Sequence, residues 1–77
     1  MKELLETITR ALVDTPEAVH VHSMEGANGR VLYEIQVDPK DIGKVIGREG
    51  RIIKSIRVLA KACAVRDGKN VQVELAE

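Results

Sequence analysis

Aromatic side chains are almost missing from this chain. It has no tryptophan and no phenylalanine, and Tyr33 stands alone among 77 residues. The core must therefore be aliphatic, built from Ile, Leu, Val and Ala. Cysteine is as scarce: Cys63 is the only one, so an intrachain disulfide is excluded and a reducing compartment fits. No apolar run approaches the roughly 20 residues that a membrane span needs. The first residues, MKELLETITR, lack the apolar stretch of a signal peptide. The expected location is cytoplasmic. Length sets a further limit. A chain this short buries only about 60% of the surface its unfolded form exposes, which leaves no core to spare for a deep enzyme cleft. Residues 1–77 are expected to make one domain.

Net charge is missing too, with 12 basic and 12 acidic residues. That balance argues against a polyanion partner, but the distribution does not. Residues 40–61 hold seven Lys/Arg and two acids, a local charge of +5. The remainder holds five basic and ten acidic residues, a charge of −5. A local field of one sign steers a polyanion even when the total cancels.

What is present is strong periodicity. In residues 2–13, Leu4, Leu5, Ile8, Ala11 and Leu12 form one helical stripe. Asp14-Thr15-Pro16 ends that helix, because proline removes a donor and disfavours helix at the residue before it. Residues 19–25 alternate and predict a strand. Asn28-Gly29 suits a tight turn with positive φ, and 31–38 alternate again, so the two strands make a hairpin. Asp38-Pro39 predicts a helix start, with the aspartate as N-cap, for a short helix over 39–46. A longer helix follows the glycine pair. Ile52, Ile53, Ile56, Leu59, Ala60 and Cys63 form its apolar stripe, with Arg51, Lys54, Arg57 and Lys61 opposite. Asp67-Gly68 ends it, and 70–77 read as a last strand.

The order is α-β-β-α-α-β. Strands 31–38 and 70–77 are joined by about 30 residues of helix, long enough for a right-handed crossover that sets them parallel. An α+β fold is expected: a mixed three-stranded sheet with helices packed on one face.

The segment KVIGREGRIIK, residues 44–54, carries the chemistry. Gly43, Gly47 and Gly50 do not match the dinucleotide fingerprint, and no Gly-Lys-Ser/Thr ending makes a nucleotide-hydrolysing loop. A helix–GxxG–helix corner has another use. Glycine admits backbone conformations that a β-carbon forbids, and it clears side chains from the path of a phosphodiester strand. The second helix starts at the corner, so its amides and positive dipole end face that strand. Lys44, Arg48 and Arg51 add point charges.

VIGREGRIIKSI resembles the signature of the KH domain, and the element order resembles its bacterial type II arrangement over the whole chain. A single short KH domain is similar to the KhpA (YlqC) family of small bacterial RNA-binding proteins. The resemblance implies single-stranded RNA binding of the RNA-chaperone kind, with about four nucleotides clamped by the loop. It implies a loop of Gly47, Arg48, Glu49 and Gly50. Lys44, Arg51 and Lys54 flank that loop, and Val45, Ile46, Ile53 and the region of Val71–Val73 make an aliphatic groove. Arg66 and Lys69 fall in the variable loop, within reach of phosphate. It also implies association with itself, as a homodimer, or with a second KH protein of the Jag (KhpB) type. Glu49 departs from the family pattern, where a basic or neutral residue is common, so weak affinity with low sequence preference is expected.

The remaining chemical candidates are weaker. His20 and His22 share a strand face, but no further ligand completes a metal set. Cys63 is expected to be a small buried hydrophobe and Tyr33 a core or interface residue. Arg57 and Lys61 fit a solvated face. Ser23 and Ser55 lack partners for nucleophilic chemistry, so no enzyme and no cofactor are expected. The competing function is a protein–protein adaptor on the same scaffold, suggested by zero net charge and Glu49.

Overall fold

A computed structural model describes all 77 residues. The elements are α1 (Lys2–Leu12), β1 (His20–Glu25), β2 (Arg30–Gln36), α2 (Ile42–Ile46), α3 (Arg51–Arg66) and β3 (Asn70–Leu75). Short 3-10 turns at Pro16–Ala18, Ala27–Gly29, Pro39–Asp41 and Arg48–Gly50 connect them. The order along the chain is the expected one. The sheet runs β1-β2-β3, with β1 antiparallel to β2 and β2 parallel to β3.

The hairpin turn takes positive φ at Asn28 (61°) and Gly29 (72°), the pair that such a turn demands. Val21, Ile35, Val71 and Val73 are buried on the sheet face that the helices cover. His20, His22, Met24, Gln72 and Glu74 are exposed on the other side. Period-two alternation is clear in β3, whereas β1 buries only Val21 and residues 31–34 of β2 are all half-buried. β2 stops at Gln36 rather than 38, because Asp38 is needed elsewhere: its carboxylate accepts from the Lys40 amide at 3.1 Å and caps the Pro39 turn.

Two helical stripes differ in detail from expectation. In α1 the buried line is Leu5 and Thr9, while Leu4 is 41% exposed. Thr9 is tolerated there because its hydroxyl donates to the Leu5 carbonyl at 2.7 Å, which leaves no unpaired polar atom in the core. In α3 the buried residues are Ile53, Ile56, Ala60 and Ala64. Leu59 is 52% exposed and Cys63 only half-buried. The small residues Ala60 and Ala64 face the sheet, so the C-terminal half of α3 approaches it closely. α3 ends in a Schellman motif, with Gly68 at φ 70°, the Gly68 amide on Val65 O and the Lys69 amide on Ala64 O. No helix is long and apolar enough to cross a membrane.

Candidate nucleic-acid interface

The α2–α3 corner is built by three backbone conformations, at Gly47, Glu49 and Gly50, that side chains resist. Gly47 takes φ 76°, ψ 176°, a region open essentially to glycine alone. Glu49 (φ 57°, ψ 24°) and Gly50 (φ 73°, ψ 16°) are both left-handed. The Gly47 amide closes α2 on Gly43 O at 2.9 Å, and the Gly50 amide bonds Gly47 O at 3.2 Å. No side chain caps the start of α3, so the positive end of its dipole is left at the corner.

The two glycines do different work. A β-carbon on Gly47 would lie 2.5 Å from Ile52 Cγ1, so the bareness of Gly47 serves packing inside the corner. A β-carbon on Gly50 would meet only Lys54 Cε, at 3.8 Å. Gly50 is therefore the glycine whose bare face opens outward.

Arg48, Glu49, Arg51 and Lys54 are exposed around it. Glu49 reaches Arg51 at 3.5 Å, but both side chains are more than 70% exposed, so this contact holds neither firmly. Ile46 and Ile52 are half-buried beneath the loop, on the rim of the core. Ile53 is 7% exposed and Val45 fully buried, so Val45 supports the corner from below and offers no surface to a ligand.

Lys44 is turned toward other partners. It bonds Asp14, in the connection after α1, and lies 3.8 Å from buried Asp41. The hydrogen bond to Asp14, helped by the charges of Asp14 and Asp41, raises its pKa above the ordinary lysine value. Asp41 also accepts the Thr15 amide at 3.0 Å. This cluster fastens the α1–β1 connection to the start of α2, and spacing alone gives no sign of it. Arg57 is exposed on its helix face, and its Nε also donates to Val73 O at 3.0 Å. His20 and His22 lie with ring centres 6.4 Å apart on the helix-free sheet face, and His22 contacts Gln36.

Residues 2–75 match the family described as "KhpA/KhpB, KH domain". The chain belongs to this family. It is similar to the protein named RNA-binding protein KhpA in Clostridium perfringens, at 51% identity over 97% of this chain and 99% of that one. It is 48% identical to the protein of the same name in Chlamydia trachomatis, over 100% of this chain and 97% of the relative. A third, from Borreliella burgdorferi, is 41% identical over 97% of this chain and 90% of its own. The corner at Gly47–Gly50 lies within the matched residues.

Proposed function

We propose that this protein binds single-stranded RNA, with the sugar–phosphate backbone lying across the Gly50 side of the corner. One observation carries the reading. Gly50 leaves an open face at the start of α3, and three cations, Arg48, Arg51 and Lys54, surround it. The family relationship supports it, since the relatives are named RNA-binding proteins. Arg48, Arg51 and Lys54 hold phosphates, and the α3 dipole adds to their field. Ile46 and the rim of Ile52 and Ile53 give bases an apolar floor. The protein acts by holding RNA, as a small cytoplasmic RNA chaperone, without a reaction of its own.

Affinity for short single-stranded RNA, measured across salt concentrations, tests this. A phosphate grip weakens steadily as salt rises. Arg48→Asp combined with Glu49→Asp should keep helix content and abolish binding. If that doubly substituted protein binds RNA as well as the parent does, the corner is not the site.

A second reading, association with another copy of itself or with a KH protein of the KhpB type, is favoured by one feature of α3. Val58, Leu59 and Val65 are 66%, 52% and 77% exposed and share its outer side. Sedimentation of the parent and of Leu59→Glu separates the cases. A dimer that becomes a monomer supports the reading. A monomer throughout, alone and with the second KH protein, counts against it.

A further inference from the structure

β3 is an outer strand of the sheet and pairs on one side only, with β2. The Ala76 amide donates to Ile35 O at 2.8 Å, so residues 70, 72, 74 and 76 address β2 through their backbone groups. By alternation, residues 71, 73 and 75 turn theirs to the free edge. Such an edge is a template for another strand. Yet Val73, at its centre, is only 3% exposed. Arg57 reaches across from α3, and its Nε donates to Val73 O at 3.0 Å.

The strand that this edge would accept can be read from β3 itself. A second copy of β3, antiparallel and related by a two-fold axis at Val73, sets Val73 opposite its counterpart and Val71 opposite Leu75 of the second copy. These are the residues whose backbone groups face the edge, so the two strands can exchange hydrogen bonds. On the face that the helices cover, apolar meets apolar. On the open face Gln72 stands opposite Glu74 of the second copy, an amide against a carboxylate, and no like charges meet. Within one strand the same two side chains already bond at 2.9 Å.

β1, the other outer strand, offers no such match. Its even-numbered residues address β2, because the Gly26 amide bonds Arg30 O at 2.8 Å, so its edge groups belong to Val21, Ser23 and Glu25. Self-pairing there would set Val21 against Ser23 or against Glu25.

We propose that the outer edge of β3 is a self-complementary pairing surface, and that the Arg57–Val73 hydrogen bond keeps a second copy of the strand off it. The bond occupies the central acceptor of the edge. Lys61, one turn further along α3, borders the same stretch and repels its own counterpart on a second copy. This edge is separate from the glycine corner and from Val58, Leu59 and Val65 on the outer side of α3.

The test compares the parent with Arg57→Ala and Arg57→Gln, in moderate salt that screens Lys61. Arg57 is exposed on its helix, so neither substitution disturbs the core. Glutamine carries its amide nitrogen as far along the side chain as arginine carries Nε, so Arg57→Gln can keep the bond without the charge. Sedimentation reads the mass, and hydrogen exchange reads the amides of Val71 and Val73. Arg57→Ala should gain a species of twice the mass as concentration rises, and exchange at both edge amides should slow about tenfold with it. In the parent and in Arg57→Gln, exchange at those amides should not depend on concentration, whatever association the outer side of α3 brings. If Arg57→Ala leaves the edge amides independent of concentration, the edge is not a pairing surface. If Arg57→Gln behaves as Arg57→Ala does, the hydrogen bond is not what closes it.

Discussion

Ile52 lies over Gly47 so closely that a β-carbon there would sit 2.5 Å, 2.8 Å and 2.9 Å from three of its side-chain atoms. Ile52 Cβ is fixed to the α3 backbone and cannot swing clear without moving the helix, while Cγ1 and Cδ1 could do so only by a change of rotamer. Gly47→Ala should therefore destabilise the fold on two counts, contact and backbone. The backbone count alone is about 1–3 kcal/mol in this φ/ψ region. Gly50→Ala meets the second count only. Urea denaturation should rank Gly47→Ala as clearly less stable than Gly50→Ala. Adding Ile52→Ala to Gly47→Ala should recover part of the loss. Equal midpoints for the two alanine variants would contradict the packing role given to Gly47.

Glu49 combines an unfavourable conformation with an unfavourable charge. It is left-handed at φ 57°, and its carboxylate sits among the cations of the corner. Asparagine is at home in that conformation and carries no charge. Glu49→Asn should leave the fold at least as stable as the parent and tighten RNA binding several-fold at low salt. The gain should shrink as salt screens the carboxylate it replaces. Titration of one RNA against both proteins at low and high salt checks this. A gain that does not depend on salt would mean that the carboxylate acts through shape rather than charge.

The readable parts of this molecule are those set by neighbours in sequence. The alternation around Val21 and Ile35, the Asp38-Pro39 start and the Asn28-Gly29 turn are local choices of backbone and side chain. The GxxG corner was legible for the same reason. Contacts between distant residues were not. Arg57 on Val73 O, Asp41 on the Thr15 amide and Lys44 on Asp14 join residues 16, 26 and 30 positions apart. Spacing shows which side chains share a face, but not what stands opposite. The same gap explains α3. Leu59 looked like core because it is apolar and in register, whereas the sheet lies against the smaller Ala64.

Asp41 is the one buried carboxylate, 1% exposed, and its bond to the Thr15 amide ties the end of the α1 segment to the turn before α2. Removing it leaves an amide without its acceptor. Asp41→Ala should cost about 1–3 kcal/mol, the penalty of one unpaired buried polar group. Hydrogen exchange should show faster exchange at Thr15 with little change at the corner. Protection at Thr15 equal to the parent's would show that the bond does not hold that segment.

Lys44 gives a pH signature with a defined sign. Its pKa is raised, first by the hydrogen bond to Asp14 and then by the charges of Asp14 and Asp41. A group whose folded pKa lies above its unfolded value stabilises the fold most below the unfolded value, about 10.4 for lysine. That contribution disappears as pH rises through the folded value. The stability difference between the parent and Lys44→Met should therefore be constant from pH 7 to about 10 and shrink above it. Lys44 is well exposed, so the difference is small, but its direction is fixed. Asp14→Asn releases the lysine from its main partner, three residues before Gly47. A freed Lys44 that meets one phosphate steepens the salt dependence of single-stranded RNA binding by about 0.7 in log–log slope. An unchanged slope would mean that Lys44 is held for the fold by Asp41 and has no part in the grip on RNA.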